Sequence, residues 1–429
     1  MLDLNKKKKE RVIIVGAGEK YGKSLGLAGS LPLDEIRLLA DTAGAEIVGT
    51  VIQARSLIDP TYYIGKGKVQ ELKEEIENLE ATTIIFDNDL SPAQVSNLEE
   101  LLEVKVVDRT GLILDIFALR ARTREAKTQV ELAQLKYLLP RLTRKWTHLS
   151  RQVGGIGVRG PGETQLEVDK RKVRTRIAHL DEILEKITRQ RSVSQKKRSG
   201  QFKITLVGYT NAGKSSLLNA LSKADVPVED KLFKTLDSVT RLIKFKDAPD
   251  ILLSDTVGFI RDLPHDLVAS FTSTLDEVRN AELLLHVVDI NNPDWEGQTK
   301  VVNQVLFDLG ATDIPVIIVF NKIDLIDNPA FMQSLETRYP GSIPVSTLNG
   351  LGLDSLRESI IKAAMSGQVT LTMDFGTDDG DILREVYRQA VIIKSEGYDE
   401  ILRLTFTLPV SQAGKLHLFD ILASKLEKS

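Results

Sequence analysis

Short apolar runs alternate with glycine-rich or acidic turns over residues 202–364. Ile204–Val207, Ile251–Leu253 and Val316–Phe320 are continuous apolar segments of strand length, and each is followed by a turn. The segment SLLNAL after the first turn has helical spacing. Continuous apolar runs are typical of strands buried on both faces of a parallel sheet. The pattern predicts an α/β domain over residues 202–364.

Residues 11–110 also alternate strand and helix patterns, which predicts a small α/β domain over residues 1–112. The predicted strands are Arg11–Val15, Glu46–Gln53, Thr83–Asp87 and Val104–Val107. The predicted helices lie near Asp34–Ala43, Lys66–Glu77 and Ser91–Glu103.

Two motifs in this first domain resemble nucleotide loops. In VIIVGAGEKYGKS, Tyr21 stands where a dinucleotide fingerprint needs its final glycine, and only three residues separate Gly18 from Gly22, too few for a phosphate loop. We reject both interpretations. The turn Ile64–Lys68 (IGKGK) fits either a phosphate or RNA contact or a simple strand-to-helix turn with two solvated lysines.

Residues 113–191 have the apolar spacing of two helices. Over residues 115–139 the apolar positions include Leu119, Ala126, Val130, Ala133 and Tyr137, and a second helix begins near Glu163 with a seam of Leu166, Val173, Ile177, Leu180, Leu184 and Ile187. We expect a long antiparallel helical hairpin that Pro140 interrupts. Residues 192–201 read as a polar linker, and residues 365–429 as a small α+β tail domain without evident chemistry.

Composition places the chain among ordinary globular proteins. It has 429 residues, 42% apolar and 27% charged, and no cysteine, which excludes disulfides and thiolate metal sites. The sequence has no apolar stretch near the roughly 20 residues of a membrane span, and the basic start lacks a signal-peptide cleavage pattern. We expect a cytoplasmic monomer, with a membrane-associated fraction left open.

Charge is distributed unevenly along the chain. The net charge is −3, but residues 120–200 carry 21 Lys/Arg against 8 Asp/Glu, a local balance of +13. Arg141, Arg144, Lys145, Arg151 and Arg159 could neutralise phosphates, and Trp146 offers a face on which a base could stack. We favour RNA binding by this segment; the alternatives are solvated helices, a mobile linker and a Trp146 anchored in the hairpin core.

The chemistry begins at residues 208–215, GYTNAGKS, between a predicted strand and helix. In such a phosphate-binding loop, Gly208 and Gly213 let the backbone wrap a phosphate, Lys214 reaches the β/γ-phosphates and Ser215 can ligate Mg²⁺. Three further elements follow strands in order. Asp255 and Gly258 fit DxxG, for Mg²⁺ through water and for the γ-phosphate. Asp324 closes NKxD, where a carboxylate can accept two hydrogen bonds from guanine.

Ser346 and Thr347 occupy the place where a backbone N–H meets guanine O6. Together the four elements predict a Mg²⁺-dependent GTPase. The predicted nucleotide-binding residues of these elements are Gly208, Tyr209, Thr210, Asn211, Ala212, Gly213, Lys214, Ser215, Asp255, Thr256, Val257, Gly258, Asn321, Lys322, Ile323, Asp324, Ser346, Thr347 and Leu348. Lys214 and Gly258 are expected to act directly on the transferred phosphate.

The chain resembles the HflX family, bacterial GTPases of the translation-factor class, over nearly its whole length. The motifs that carry the resemblance are AGAEIVGTVIQAR, YYIGKGKVQEL, RTREAKTQVELAQLKYLLPRL, GGIGVRGPGETQLE, GYTNAGKSSLLNAL, FKTLDSVTR, DTVGFIRDLP and NKID. The resemblance implies binding to the large ribosomal subunit, with the hairpin directed at ribosomal RNA near the peptidyl-transferase centre, and the splitting of stalled ribosomes.

The same resemblance adds a switch segment to the nucleotide site. It consists of Phe233, Lys234, Thr235, Leu236 and Asp237, and the Thr235 hydroxyl would complete the Mg²⁺ ligands when GTP is bound. Asn211 resembles the asparagine that holds an activating K⁺ in cation-dependent relatives; a turn-stabilising role is equally open.

Phe259, after Gly258, cannot hydrogen-bond the attacking water as glutamine would, so we expect slow intrinsic hydrolysis. The alternative function is a GTP-gated ribosome-assembly or RNA-binding factor in which hydrolysis is a slow reset. A GTPase serving RNA modification or membrane transport, and ATP use by the first domain, also stay open.

Overall fold

The structure is a computed structural model in which the chain forms three sheets. It describes residues 9–19, 21, 33–142, 165–196, 201–222, 233, 239–245, 249–261, 272–366, 368–398, 401–409, 413, 416–418 and 421.

The N-terminal sheet is parallel, with strand order β2-β1-β3-β4. Its strands are β1 Arg11–Ala17, β2 Glu46–Gln53, β3 Thr83–Phe86 and β4 Lys105–Val107. The helices that connect and follow them are α1 Asp34–Thr42, α2 Lys66–Leu79, α3 Pro92–Leu102 and α4 Arg109–Arg120. Ile13 and Ile14 point to opposite faces of β1 and both are fully buried, as expected for a sheet covered on both sides.

The helical region differs from the sequence prediction at its beginning and end. Residues 115–139 do not form one helix, because α4 ends at Arg120 and α5 begins at Arg124, where the Thr123 side chain accepts from the Ala126 N–H as an N-cap. The boundary at 112/113 therefore falls inside α4. Helix α6, Gln165–Lys196, extends into the predicted 192–201 linker.

Helices α5 (Arg124–Leu138) and α6 pack against each other. Two ion pairs join them, Arg176 to Glu131 at 2.7 Å and Lys136 to Asp181 at 3.6 Å. Leu180 of α6 is buried. The antiparallel direction of the hairpin stays a prediction.

The second sheet is the P-loop α/β sheet, with strand order β10-β9-β8-β5-β7-β6 and only β6 antiparallel among the described strands. Its strands are β5 Phe202–Gly208, β6 Val239–Ile243, β7 Ile251–Asp255, β8 Leu283–Asp289, β9 Val316–Asn321 and β10 Ile343–Pro344. The accompanying helices are α7 Lys214–Ser222, α8 Thr272–Arg279, α9 Trp295–Asp308, α10 Pro329–Arg338 and α11 Leu353–Ser366. The carboxyl ends of β5, β7 and β9 place the motifs at one edge.

One apolar cluster is shared between the first two domains. It combines Ile36 and Phe117 of the N-terminal domain with Val207, Phe259 and Leu284 of the second. The two predicted α/β units are therefore joined by a common core at the end of β5.

The third sheet is antiparallel and belongs to the C-terminal domain. Its order is β11-β13-β12, formed by β11 Gln368–Phe375, β12 Val391–Tyr398 and β13 Ile401–Pro409, with helix α12 Gly380–Gln389 packed against it. The predicted closing helix from Ser411 lies mostly outside the described residues. Over the part of the chain described here, every helix is too short or too polar to cross a bilayer.

Candidate active site

The loop between β5 and α7 is compact because two positions accept only glycine. Gly208 (φ +151°) and Gly213 (φ +94°) lie in the left-handed half of backbone space. A Cβ atom would collide with the carbonyl oxygen of Val287 at the first position and with the Asn321 amide nitrogen at the second. Asn211 is exposed and also has a positive φ of 64°. The loop thus fits the predicted phosphate cradle.

Lys214 begins α7 and lies inside this loop. Its ammonium donates to the carbonyl oxygens of Gly208 at 3.0 Å and Tyr209 at 2.8 Å. Burial lowers the pKa of Lys214 to about 8, and the Asp255 carboxylate offsets part of that effect. The Thr210 hydroxyl is also buried and has no hydrogen-bond partner among the described residues. An anionic ligand would satisfy both groups.

Ser215 and Asp255 bring two hard oxygen atoms together beside the loop. The Ser215 hydroxyl donates to Asp255 Oδ2 at 2.6 Å, and Asp255 is fully buried at the end of β7. Oxygen donors of this kind, next to a phosphate, are the ligands that Mg²⁺ takes in nucleotide sites. The pair therefore fits Mg²⁺. Thr235, the third predicted contributor, lies outside the described residues.

The segment after Asp255 packs directly on the P-loop. The Phe259 N–H donates to Gly208 O at 3.1 Å, and Phe259 O accepts from the Thr210 N–H at 2.8 Å. Phe259 is buried in the core shared by the two domains. Thr256 and Val257 are buried too. The Thr256 hydroxyl donates to Leu206 O of β5, the strand that precedes the loop. Ala212 is buried in the neighbouring core.

Asn321 ties the phosphate loop to the base-binding loop. Its Nδ2 donates to Ala212 O at 3.0 Å, and its Oδ1 accepts from the Thr347 N–H at 3.2 Å. The side chain is 1% exposed. Sequence reasoning listed Asn321 within NKxD, but this bridge between two loops follows only from the fold.

The remaining base-loop residues surround a half-buried carboxylate. Lys322 has a φ of 66°, and a short 3₁₀ helix, Ile323–Leu325, follows it. The Lys322 ammonium pairs with Asp289 at 2.7 Å. Asp324 lies in this turn, and within the described residues its side chain makes no hydrogen bond that would occupy it. Ser346 is fully buried and its hydroxyl accepts from the Asn349 N–H, whereas the Leu348 side chain is exposed.

His286 of β8 is buried close to Lys214. Burial and, to a smaller extent, the Lys214 charge together lower the pKa of His286 to about 4. The imidazole is therefore neutral near neutral pH.

The N-terminal domain contacts the nucleotide loop through polar residues that the motifs did not indicate. The Tyr209 hydroxyl donates to the Glu35 carboxylate, and Arg109 pairs with Glu35 at 2.6 Å. Arg261 joins this group through its backbone. Glu35 and Tyr209 are 174 positions apart, so no local sequence signal could have paired them.

Phe233 is the one described residue of the predicted switch segment. Its ring packs edge to face on Phe117 of α4, with centroids 4.6 Å apart. Both rings are buried. Lys234, Thr235, Leu236 and Asp237 lie outside the described residues.

Arg141, a predicted RNA contact, is engaged within the described residues; its contact with RNA stays a prediction. Its guanidinium pairs with the buried Asp108 at 2.7 Å, donates to Leu90 O and lies 3.5 Å from the centre of the Tyr137 ring. The side chain is 18% exposed. Because a buried carboxylate already engages this charge, Arg141 stabilises the N-terminal domain. Arg144, Lys145, Trp146, Arg151 and Arg159 lie outside the described residues.

A strand, a glycine loop, a buried lysine, a Ser/Asp oxygen pair and an Asn-Lys-x-Asp turn at one sheet edge define the class: a P-loop GTPase. Residues 203–322 match the family described as 50S ribosome-binding GTPase. Residues 31–118 and 120–198 match the families described as GTP-binding GTPase N-terminal and GTP-binding GTPase Middle Region.

Individual proteins narrow the class further. GTPase HflX of Alkalihalophilus pseudofirmus is 44% identical over 407 residues, 93% of each chain. GTPase HflX of Escherichia coli K12 is 44% identical over 373 residues, 86% of this chain and 87% of its own. The solved complex of SsGBP with GDP is 27% identical, with a TM-score of 0.47, over 83% of this chain and 99% of its own. The chain belongs to the HflX family, and it binds and hydrolyses GTP.

Proposed function

We propose that this GTPase binds the large ribosomal subunit and splits stalled ribosomes into subunits. The observation that carries the proposal is the direct contact between the nucleotide site and the domain that precedes it, at Tyr209–Glu35 and Phe233–Phe117. That contact gives the nucleotide a route to the basic segment. The description of the family matched by residues 203–322, a 50S ribosome-binding GTPase, supports the same partner.

The basic segment at residues 120–200 is the proposed contact with ribosomal RNA. Arg171, Lys172 and Arg174 are exposed on α6 and can neutralise phosphates. In the loop ahead of α6, we propose phosphate contacts by basic side chains and stacking of Trp146 on an unpaired base. The proposed phosphate contacts there are Arg144, Lys145, Arg151 and Arg159.

Hydrolysis needs no covalent intermediate. Water attacks the γ-phosphorus in line, while Lys214 and the loop N–H groups stabilise the charge that develops on the phosphate oxygens. Mg²⁺ held by Ser215, by Asp255 through water and by Thr235 would neutralise part of that charge. We propose that GTP and Mg²⁺ order the segment around Thr235 and the loop after Asp255, and that this switch changes the orientation of the basic arm.

The water-orienting group is missing from the usual place, because Phe259 is apolar and buried. We propose that ribosome contact, or K⁺ held by Asn211, supplies what this residue cannot. Asn211 is exposed and has a left-handed φ, which is compatible both with the ion site and with a turn-stabilising role. Hydrolysis that is faster in KCl than in NaCl, and insensitive to that exchange in Asn211→Ala, would be the expected result; equal rates in both salts would contradict it.

A second function is favoured by the same buried Phe259. If hydrolysis is only a slow reset, the chain is a GTP-gated ribosome-assembly or RNA-binding factor. A protein locked with a non-hydrolysable GTP analogue should then perform the whole task without turnover.

Sucrose-gradient sedimentation tests the first function. With a non-hydrolysable GTP analogue, we expect the protein to migrate with large subunits and intact ribosomes to be depleted. Lys214→Ala should abolish GTP hydrolysis and the nucleotide dependence of ribosome binding. Absence of ribosome association with every nucleotide would contradict the proposal.

A further inference from the structure

We propose that Tyr209 and Glu35 are specificity-determining residues that bias the nucleotide site toward GDP over GTP. The proposal rests on GTP binding by the isolated chain and not on its action at the ribosome. Four observations carry it. They are the hydrogen bonds of the Tyr209 hydroxyl, the ion pair of Glu35, the hydrogen bonds to the Arg261 backbone and the position of Gly258.

The Tyr209 hydroxyl is fully used between two domains. It donates to the Glu35 carboxylate, with its oxygen 2.9 and 3.0 Å from the two carboxylate oxygens, and it accepts from the Arg261 N–H at 2.9 Å. Tyr209 is 5% exposed. Burial and the neighbouring carboxylate raise the pKa of Tyr209, so the hydroxyl keeps the proton that it donates. A phosphate-loop side chain is therefore fastened to the N-terminal domain.

Glu35 is itself held in place. Arg109, which is 3% exposed, pairs with Glu35 at 2.6 Å through one nitrogen and with Asp87 at 2.5 Å through the other. Asp87 also accepts from the Tyr21 hydroxyl. The carboxylate that receives the Tyr209 hydrogen bond is thus fixed by a buried network within the N-terminal domain.

The same network grips the backbone of Arg261, three residues after Gly258. Tyr209 accepts from the Arg261 N–H, and Arg109 donates to the Arg261 carbonyl at 3.3 Å. The Arg261 side chain pairs with Asp294. This segment is therefore restrained at its N–H, its carbonyl and its side chain.

The restraint holds Gly258 where GTP needs space. A Cβ atom built on Gly258 would lie 2.8 Å from Thr210 Cα and 3.0 Å from the Lys214 ammonium, so little space separates Gly258 from these two residues. A γ-phosphate bound by Lys214 and by the Gly258 N–H needs an oxygen between them. In the proposed mechanism the segment withdraws when GTP is held in this way. GDP has no γ-phosphate and makes no such demand.

When a ligand binds only one conformation of a protein, its apparent affinity is reduced in proportion to the fraction of molecules in that conformation. Each contact that stabilises the observed position of residues 258–261 therefore weakens GTP binding more than GDP binding. A hydrogen bond to a charged group contributes about 1.5 to 3 kcal/mol, which corresponds to roughly tenfold or more in an equilibrium. We expect about a tenfold effect on the ratio of the two dissociation constants.

The test compares Tyr209→Phe, which keeps the ring and removes the hydroxyl, with the full-length wild-type chain. Dissociation constants for GDP and for a non-hydrolysable GTP analogue are measured by fluorescence titration in the absence of ribosomes. We expect the GTP analogue to gain about tenfold in affinity relative to GDP. Glu35→Gln should shift the ratio in the same direction. The double variant should shift it no further, because both substitutions weaken the same hydrogen bond between Tyr209 and Glu35.

Tyr137→Phe is the matched control. The Tyr137 hydroxyl also donates to a buried carboxylate, Asp108, at 2.6 Å, but this pair joins helix α5 to the N-terminal domain and does not include the phosphate loop. This control should leave the GDP-to-GTP ratio unchanged. If Tyr209→Phe and Glu35→Gln change both affinities equally, or favour GDP, then the contact is only a domain interface and the proposal is wrong.

Discussion

Removal of the Asn321 side chain should separate the two halves of the nucleotide site. Asn321 is 1% exposed and holds Ala212 O at 3.0 Å and the Thr347 N–H at 3.2 Å, so it fixes the phosphate loop relative to the base loop. Asn321→Leu keeps the branched shape of the side chain and removes both hydrogen bonds. One carbonyl and one N–H of the backbone then lose their partners in a buried site.

The expected loss of stability follows from those two groups. A buried polar group without a partner costs about 1 to 3 kcal/mol, so we expect about 3 kcal/mol for the pair. For a domain of this size each kcal/mol shifts the unfolding temperature by about 2 to 4 °C, which gives a shift of about 10 °C. GDP affinity should fall by at least about tenfold, because binding must now also align the two loops.

Scanning calorimetry and GDP titration measure the two effects separately. Asn280→Leu serves as a control, since Asn280 is an exposed residue of the same domain whose amide donates only to Asp276 O. The control should change stability by less than about 0.5 kcal/mol. If Asn321→Leu unfolds at the temperature of the control, the two hydrogen bonds do not stabilise the site. If it unfolds earlier but binds GDP normally, they serve folding alone.

Three further changes test other parts of the structure. Asp324→Asn should weaken GTP binding about 100-fold and improve binding of xanthosine triphosphate, whose C2 carbonyl can accept from the new amide; unchanged nucleotide preference in competition assays would contradict this. Burial keeps the pKa of His286 at about 4, below its ordinary 6.5, so the unfolded chain takes up a proton first and stability falls as the pH drops from 6.5 toward 4. His286→Leu should flatten that pH dependence in urea unfolding, by up to about 3 kcal/mol. Arg141→Ala should destabilise the N-terminal domain by about 3 kcal/mol, because it leaves the buried Asp108 carboxylate without its cationic partner; reduced RNA binding without reduced thermal stability would refute that role.

The GTPase site could be predicted because its parts are local in sequence. Each motif follows its own strand, and the carboxyl ends of parallel strands meet at one edge of a sheet. Gly208 and Gly213 are needed for close backbone approach, and that need is visible in the spacing alone. The motif spacing therefore predicts that Lys214 and Asp324 lie at the same edge of the sheet.

The helical region shows where periodicity fails. The apolar spacing continues through residues 115–139, yet the chain breaks at Ala121, which has extended backbone angles, before the Thr123 cap. A capping threonine is a weaker signal than an uninterrupted apolar stripe, so the break was missed. The ion pair of Arg141 could not be predicted either, because a basic residue in a basic segment looks solvated until the fold places Asp108 beside it.

The contact between the two domains, formed by Tyr209, Glu35 and Arg109, could not be predicted from the sequence. Its N-terminal residues lie at an edge of the sheet where a ligand would otherwise be expected to bind. In open parallel sheets, ligands bind outside the carboxyl ends of the strands, at the point where the strand order reverses, and order β2-β1-β3-β4 puts that point between β1 and β3. Here Tyr21 fills the crevice. A Cβ on Gly16 would lie 2.7 Å from its ring, and its hydroxyl bonds to Asp87 at the end of β3. Gly16, one of the glycines that resemble a dinucleotide fingerprint, thus leaves space for the Tyr21 ring. Arg109 and Glu35 lie at the same edge of the N-terminal sheet, and Glu35 accepts a hydrogen bond from Tyr209 of the phosphate loop. An edge that commonly binds a nucleotide therefore contacts the nucleotide site of the next domain.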